Sequence, residues 1–283
     1  MRQTLVNLAP LLHLTRLTIG IGAVANSWFV VLWSRASAEE RAAAPASLVE
    51  QPLWVVLGGA TACSIGLYAF ATVLNDVLDR RRDAALHPER PLPSGRVSIG
   101  RATAVLVAML GVSVAGAWVM DRPAVLMTLG TALAVGVFNV FGKFVPSAGL
   151  VLLSLIYGGQ MMTPNVELVF VWPVWLAMTH ALAVGAMSHR AGEHRPVLSR
   201  RAKAGAVAGW AFWSGVLLAL GAWRGGLWPG FVAWDAALWP ALLGLAFLQF
   251  GRTVIGMKVP AAVRGTLVQR AGALWLPLYG VAW

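Results

Sequence analysis

Three carboxylates and one carboxamide stand together at the end of an apolar stretch of the chain: Asn75, Asp76, Asp79 and Asp83. The whole sequence holds 11 acidic residues, so this group is a marked concentration of them. On a helix, Asn75, Asp79 and Asp83 follow one another at intervals of four and share a face, with Asp76 beside them. Such a row of hard oxygen ligands suits Mg²⁺, especially where substrate phosphates complete its coordination. A solvated turn between two helices is the alternative.

The composition places this acidic segment in a membrane protein. Mean hydropathy is +0.71 and 12% of the residues are charged, against about 25% in ordinary soluble domains. Apolar runs long enough to cross a hydrocarbon core recur along the chain. Because ionised groups at membrane depth are costly, a cluster of them there predicts a functional site.

Hydropathy predicts an all-α, polytopic membrane protein with nine transmembrane helices. The predicted spans are 13–34, 53–76, 102–120, 123–141, 147–163, 166–188, 204–222, 228–250 and 266–283. The sequence shows no linker or shift in composition, so residues 1–283 are expected to form a single membrane-embedded domain. The only cysteine, Cys63, lies in an apolar run and indicates a small buried residue.

The cations fall mainly on one side of these predicted spans. The N-terminal segment and the connections after helices two, four, six and eight hold most of the 22 Lys and Arg residues. The remaining connections hold Arg35, Arg41, Arg122 and Arg224. The positive-inside rule therefore predicts a cytoplasmic N-terminus and cytoplasmic basic loops, with the C-terminus on the opposite side.

The acidic cluster lies on the same predicted face as the basic loops. Most of these cations are expected to orient the protein or to meet anionic membrane lipids. Carboxylates among many cations predict a site for a divalent metal together with a polyanion such as a diphosphate. Nucleic acid is not expected as a partner, because the cations are divided among short loops beside the membrane.

The acidic segment and its surroundings resemble the UbiA superfamily of intramembrane prenyltransferases. The family pattern Asn-Asp-x-x-Asp-x-x-x-Asp is matched in full by Asn75, Asp76, Asp79 and Asp83. The following Arg90-Pro91-Leu92-Pro93-Ser94-Gly95-Arg96 looks like the family's Arg-Pro-Leu-Pro-Ser-Gly-Arg segment. The family's nine helices, arranged around a central apolar chamber, also agree with the predicted layout.

The resemblance implies Mg²⁺-dependent transfer of a prenyl group from a prenyl diphosphate to a lipophilic acceptor within the membrane. It makes Asn75 and the three aspartates catalytic residues, with Asp76, Asp79 and Asp83 as metal ligands. An intramembrane terpene cyclase would use the same ionisation and stays an alternative, as does a protein that only binds or transports an isoprenoid lipid.

The resemblance also implies cationic contacts to the diphosphate: Arg16, Arg90, Arg96, Lys143 and Arg190. For Arg16 the alternative is an arginine that snorkels to the membrane interface. Aromatic rings near Lys143 and in the fifth helix could face an allylic cation. These rings belong to Phe138, Phe141 and Tyr157, and ordinary packing is the alternative for each.

The sequence departs from the family at its second acidic motif, an Asp-x-x-x-Asp expected at the end of helix six. Residues 188–196 read Ser-His-Arg-Ala-Gly-Glu-His-Arg-Pro, and no aspartate occurs between Asp121 and Asp235. The nearest substitute is His189 with Glu193, which would share a helix face if the helix reaches that far.

Three hypotheses follow from this departure. Basic residues of the segment, among them His189, Arg190, His194 and Arg195, could contact the diphosphate directly in place of a second metal. Glu193 could hold a second Mg²⁺ alone. The third hypothesis is that transfer activity is lost and that the chamber serves to bind or carry an isoprenoid lipid.

Overall fold

The computed structural model describes residues 20–283, and the structure of that range is built from α-helices without strands. The helices are α1 Ile21–Ala36, α2 Ala38–Ala43, α3 Ala46–Glu50, α4 Leu53–Leu78, α5 Arg80–Leu86, α6 Ile99–Met120, α7 Arg122–Val140, α8 Pro146–Met162, α9 Trp172–Ala191, α10 Arg200–Gly225, α11 Leu238–Gly256 and α12 Ala261–Ala282. Short 3-10 helices at Gly142–Phe144 and Trp234–Ala237 follow α7 and precede α11. The predicted all-α, polytopic architecture is therefore confirmed.

Nine of the helices in this range have 16 or more residues, and each overlaps one predicted span. Five stretches among residues 20–283 are long and apolar enough to cross a membrane: Leu53–Leu78, Ile99–Met120, Arg122–Phe144, Arg200–Gly225 and Trp234–Gly256. Large apolar side chains point outward from these helices, including Val107, Leu133 and Leu245. Such outward apolar surface suits contact with lipid. The number of spans stays a prediction.

Two predicted spans begin earlier than their helices do. The span at 166–188 corresponds to α9, which starts only at Trp172, and the span at 228–250 corresponds to α11, which starts at Leu238. Pro229 and Gly230 stand at the start of the second span, and both disfavour a helix. The apolar residues before α9 form a buried connection instead.

This connection between α8 and α9 is held by the carboxylate of Glu40 in α2, which is fully buried. Glu40 accepts hydrogen bonds from the backbone N–H groups of Val169 and Phe170 at 3.0 and 2.7 Å, and from Trp33 Nε1 at 3.2 Å. Burial raises the pKa of Glu40, although these hydrogen bonds oppose the shift. The side chains of Leu168 and Phe170 are completely buried, so this loop is apolar without being a membrane helix.

The helix that carries the acidic cluster, α4, packs closely against α6. A Cβ atom on Gly66 would lie 2.6 Å from the backbone oxygen of Met109 and from the backbone nitrogen of Ser113. Glycine at this position therefore allows the two backbones to touch, as small residues do at helix contacts in membranes. Ser113 adds a hydrogen bond of 2.8 Å from its hydroxyl to the carbonyl of Cys63. This contact fixes the position of α4 in the bundle.

Five helices, α4 among them, line a cavity of about 330 Å³. Its walls come from α1, α4, α7, α8 and α12, and most of them are apolar, including Leu67, Val135, Leu153, Ile156 and Leu276. Pockets of this size lie at the lower end of the range known for small-molecule sites, about 300–1,000 Å³. The cavity corresponds to the predicted central apolar chamber.

Candidate active site

The junction between α4 and α5 preserves the spacing of the acidic cluster. Asn75 and Asp76 lie in the last turn of α4, Asp79 follows its last residue, and Asp83 lies in α5. The backbone N–H of Asp79 donates to the carbonyl of Asn75 at 2.9 Å, and that of Asp83 donates to the carbonyl of Asp79 at 2.8 Å. These helical bonds keep the side chains at intervals of four on one side. Asp76 and Asp83 are buried.

Lys143 meets the acidic cluster at Asp79. Its Nζ lies 2.5 Å from Asp79 Oδ1, and each side chain is 15% exposed. The short 3-10 helix Gly142–Phe144 positions the lysine as the chain leaves α7. The structure thus brings together two predicted site residues that stand far apart in the sequence. A charged pair so poorly hydrated is far more strongly coupled than a surface ion pair.

The segment after α5 supplies a second cation to the cluster. Arg90 Nη1 lies 2.7 Å from Asp83 Oδ2. Leu92 and Val97 are buried against Val73 of α4, which fixes this segment beneath the end of the helix. The predicted contact Arg96 takes a different place, because it is exposed and donates to Ser94 Oγ and to the carbonyl of Glu89. Arg96 therefore shapes the turn around Gly95 and does not contact the carboxylates.

The cavity begins directly next to the acidic cluster, since Asn75 is one of its lining residues. Thr72 and Tyr68 continue the same face of α4 along the cavity wall. The rings of Phe138 and Tyr157 also line it. Phe141, the third predicted ring, is 66% exposed and lies outside the cavity lining.

A group of polar side chains lies at the end of the cavity away from the acidic cluster, where Ser64 and Gln160 line it. Gln160 Nε2 lies 3.0 Å from the carbonyl oxygen of Ala23, 2.8 Å from Ser27 Oγ and 3.1 Å from Ser64 Oγ, so its two hydrogens are shared among three acceptors. The two serine hydroxyls lie 2.8 Å apart. Ser64 and Asn75 are both on α4, and their spacing along the helix gives the cavity a depth of about 16 Å. We call Ser27, Ser64 and Gln160 the polar floor.

The segment that replaces the second acidic motif does not extend the helix. Helix α9 ends at Ala191, and Glu193 has a φ of 52°, so His189 and Glu193 do not share a helix face as the spacing predicted. The His189 Nε2 atom lies 2.9 Å from the carbonyl of Pro196. Gly192, which follows α9, and the nearby proline are both helix-ending residues.

Glu193 is paired with a cation from another helix. Its carboxylate accepts a hydrogen bond of 2.6 Å from Arg264 Nη2 and is 70% exposed. Arg264 also donates to the carbonyl groups of Ala191 and Met257, so it ties this loop to the start of α12. The predicted contact Arg190 is exposed.

This loop lies close to α5. Burial lowers the pKa of His194, and the charges of His189 and Arg82 lower it further. Since Arg82 belongs to α5, the two halves of the predicted site are at the same end of the bundle. The predicted contact Arg16 lies outside the described residues.

The carboxylates suit a metal that shares its ligands with a substrate. Among residues 20–283, no three His, Cys, Asp or Glu side chains converge as a complete metal site. Mg²⁺ is commonly bound through one or two carboxylates, with substrate phosphates and waters completing its octahedron. Asp76, Asp79, Asp83 and the amide oxygen of Asn75 are hard ligands of that type, so one or two of them together with a substrate phosphate fit such an ion.

Sequence reasoning missed several polar residues of the chamber. Tyr68 and Thr72 precede Asn75 at helical spacing, and Asn139 precedes Lys143 by four, so periodicity alone could have added them. No local signal indicates the polar floor, because its members come from three different helices.

The chain is similar to a known family over most of its length. The model of the UbiA prenyltransferase family matches residues 27–263. No curated protein matches the sequence. A solved structure of digeranylgeranylglyceryl phosphate synthase is 16% identical, with a TM-score of 0.60 over 98% of this chain and 96% of that one.

Two archaeal structures share the fold to a similar degree. A UbiA homologue from Archaeoglobus fulgidus, bound to GPP and Mg²⁺, has a TM-score of 0.61 and 15% identity over 96% of this chain and 98% of that one. The apo structure of a UbiA homologue from Aeropyrum pernix K1 has a TM-score of 0.60 and 16% identity, covering 93% and 96%. At these identities the likeness concerns the fold.

Proposed function

The chain belongs to the UbiA prenyltransferase family, and we propose that it transfers a prenyl group from a prenyl diphosphate to a lipophilic acceptor within the membrane. The observation that carries this proposal is the buried Asp79–Lys143 pair, in which Asp79 lies one helical turn after Asn75, a residue that lines the apolar cavity. A prenyl diphosphate has the same division into a charged head and an apolar chain. We propose that the head lies at the cluster and that the chain lies in the cavity.

The cluster would bind the diphosphate through both of its charge types. Asp76, Asp79 and Asp83, with Asn75, would hold Mg²⁺, and Lys143 and Arg90 would contact phosphate oxygens. Arg16, Arg96 and Arg190 are further candidates for such contacts. Bound Mg²⁺ would supply compensation for the charge that develops on the departing diphosphate. The relative bound to GPP and Mg²⁺ supports this assignment.

In the transfer, the bond between the first prenyl carbon and the diphosphate oxygen breaks, and the electron pair leaves with the diphosphate. An electron pair of the acceptor forms the new bond to that carbon, and the acceptor releases a proton. Walls such as Leu67 and Ile156 keep water from the reactive carbon. The ring faces of Phe138 and Tyr157 would stabilise positive charge on the prenyl group.

We propose that the loop after α9 contributes cations and no metal ligand. Glu193 is exposed and paired with Arg264, and α9 ends before Glu193, so the carboxylate is poorly placed to hold an ion alone. His189 and Arg190 remain candidates for contacts to the outer phosphate. This arrangement is the first of the three hypotheses that the sequence left open.

The protein is an integral membrane protein, and we propose that residues 1–283 form one domain with its site on the cytoplasmic face. The basic loops, the N-terminus and the candidate site would face the cytoplasm, and the C-terminus would lie on the other side. Prenyl diphosphates would then enter from the cytoplasm, whereas the acceptor and the membrane lipids would approach from the bilayer.

The test is to measure diphosphate release by the purified protein in lipid nanodiscs, with Mg²⁺ and prenyl diphosphates of several chain lengths. We expect release that depends on Mg²⁺ and that Asp76→Asn abolishes. Release that requires added lipid extract indicates transfer, and equal release without extract, with a cyclised product, indicates a terpene cyclase. Binding of prenyl diphosphate with no release under any condition would contradict the proposal.

A further inference from the structure

The lining of the cavity ends at the same depth on the two helices that run along it. On α4 the lining residues form a stripe at helical spacing that runs from Ser64 to Asn75, and on α8 they run from Leu153 to Gln160. No residue of α4 before Ser64 lines the cavity, and neither does any residue of α8 after Gln160. Gln160 is hydrogen-bonded to Ser64, so both stripes end at the polar floor.

Helices α1 and α4 are joined directly at the level of the floor. Ser27 Oγ of α1 lies 2.8 Å from Ser64 Oγ of α4, and Trp28 Nε1 of α1 donates to Thr61 Oγ1 of α4 at 2.8 Å. Gln160 of α8 is hydrogen-bonded to both serines, and all three members of the floor are buried. The three helices therefore meet where the cavity ends.

Buried apolar side chains fill the bundle on the other side of the floor. Val30 stands three residues after Ser27 on α1 and is 0% exposed, and Met161, next to Gln160 on α8, is 3% exposed. The two side chains belong to one core cluster. Protein interiors are packed about as densely as organic crystals, so a ligand that passes the floor must displace packed side chains.

We infer that the polar floor limits the prenyl chain to about three isoprene units and that Gln160 sets this limit. The inference rests on the proposed function, which places the diphosphate at the acidic cluster and the first prenyl carbon near Asn75. The stripe from Asn75 to Ser64 covers about 16 Å. Each isoprene unit adds four chain bonds, or about 5 Å in the extended form. Three units therefore fill the depth of the cavity, and a fourth extends past the floor.

The chemistry of Gln160 disfavours a fourth unit. The amide hydrogens of Gln160 are shared among acceptors of α1 and α4, and a hydrocarbon chain offers no hydrogen bond in exchange for them. A chain that displaces the amide leaves these buried polar groups unpaired. Affinity should therefore rise with chain length up to three units, because more apolar surface is buried. At the fourth unit it should fall by about 5-fold to 150-fold, the range set by one unpaired buried group.

The test compares analogues that bind without reacting. Dimethylallyl, geranyl, farnesyl and geranylgeranyl S-thiolodiphosphates carry one to four isoprene units. Each competes with tritiated farnesyl S-thiolodiphosphate for full-length protein in nanodiscs with Mg²⁺, and binding is measured by scintillation proximity. Longer chains also partition more strongly into lipid, so the partition of each analogue into empty nanodiscs is measured and corrected for. The wild type is expected to bind the three-unit analogue most tightly.

Two variants should move the limit in opposite directions. Gln160→Ala removes the amide, and it should raise the affinity for the four-unit analogue relative to the three-unit one by about 5-fold or more. Ala71→Leu adds a side chain to the stripe about 6 Å deeper than Asn75, so it should weaken the three-unit analogue relative to the one-unit analogue. Because Gln160→Ala also takes a donor from buried acceptors, thermal unfolding checks its fold, and Ala71→Leu gives an independent measurement.

The matched controls make the same changes at exposed positions outside the cavity lining, Gln249→Ala on α11 and Ala115→Leu on α6, and should keep the order of the wild type. A wild type that binds the four-unit analogue as tightly as the three-unit one overturns the inference, because the chain then leaves the cavity through its side. Unchanged affinity ratios in both cavity variants overturn it as well.

Mg²⁺-dependent release of diphosphate from the four natural prenyl diphosphates is measured on the same samples, so that the two proposals can fail separately. Absence of binding and release at every chain length contradicts the proposed function and the limit together. Binding and release that show no limit in chain length contradict only the role of the floor.

Discussion

The α4–α5 junction and the loop after α9 lie at the same end of the bundle, and each pairs a carboxylate with a basic side chain from elsewhere in the chain. At the junction, Asp79 and Lys143 are each 15% exposed, and Asp79 follows Asn75, which lines the cavity, by four residues. In the loop, Glu193 is 70% exposed and its arginine fastens the loop to α12. The buried pair is therefore placed to bind a ligand, whereas the exposed pair holds a loop against a helix.

Burial near a cavity thus distinguishes an ion pair that belongs to a binding site from one that only holds two surface segments together. An exposed ion pair contributes little, about 0–1 kcal/mol, because water screens both charges. In a poorly hydrated pair, water screens the two charges less. A ligand that takes the place of one partner therefore interacts strongly with the other. A diphosphate with a metal offers both replacements, an anion for Lys143 and a cation for Asp79.

The largest expected effect is that of Asp79→Asn. Removal of one preorganised electrostatic group from an active site lowers rates by about 10²–10³-fold. The same loss is expected here in Mg²⁺-dependent diphosphate release. A rate within a few-fold of the wild type would remove Asp79 from the site. Glu89→Gln is the matched control, because it makes the same change from carboxylate to carboxamide at an exposed position in the neighbouring loop.

Lys143→Met is expected to have the next largest effect, a loss of about 10-fold to 150-fold in kcat/KM for the prenyl diphosphate. This range corresponds to one hydrogen bond to a charged group. The double variant with Asp79→Asn should lose less than the sum of the two single effects, because the residues contact each other. Strict additivity in a double-mutant cycle would contradict their coupling. Lys258→Met, in an exposed basic loop, serves as the control.

Glu193→Gln is expected to change the rate by less than about fivefold, as for an exposed ion pair. The same variant decides between two hypotheses, because a Glu193 that held a second Mg²⁺ would give a loss closer to that of Asp79→Asn. The measurement is kcat over a range of Mg²⁺ concentrations. A rate loss that high Mg²⁺ reverses would assign Glu193 to the metal and make the loop after α9 part of the metal site.

Glu40→Gln is expected to leave the rate of diphosphate release unchanged. The variant therefore shows that a buried carboxylate outside the cavity does not contribute to catalysis. Burial raises the pKa of Glu40 above its ordinary value of 4.5, so the folded protein binds a proton that the unfolded chain has released. The stabilisation by this proton is complete below 4.5 and is lost as the pH rises through the folded pKa. Thermal unfolding midpoints across this pH range should therefore fall in the wild type and fall less in the variant.

An equal pH dependence in both proteins would mean that another group titrates there. Reduced diphosphate release by Glu40→Gln at neutral pH would also contradict the separation, since Glu40 contacts the α8–α9 connection and not the cavity.

Much of the fold could be predicted because membrane helices are encoded locally, as apolar runs of suitable length. The early start predicted for α9 was wrong for a physical reason. Leu168 and Phe170 are apolar because they are buried in a loop that Glu40 holds, and hydropathy cannot distinguish such a loop from a span. The end of α9 is easier to predict from the sequence, since Gly192 and Pro196 are both residues that end helices.

The sequence predicts which residues belong to the candidate site better than it predicts which of them contact each other. Asp79 and Lys143 were both expected near the diphosphate, but their contact depends on how α4 and α7 pack, which no local pattern records. Glu193 contacts Arg264 at the start of α12, and no pattern in the sequence predicts this contact.

The polar floor has a consequence for the membrane as an insulator. A chamber in a membrane protein that opens to water on one side needs a barrier at its other end. A continuous file of water through that end would conduct protons across the membrane. Gln160 directs its amide hydrogens to Ala23, Ser27 and Ser64, so the floor joins α1, α4 and α8 through its own hydrogen bonds. These donors are therefore already paired within the protein and are not free to order a file of water, so the floor would act as an electrical barrier at this end of the cavity.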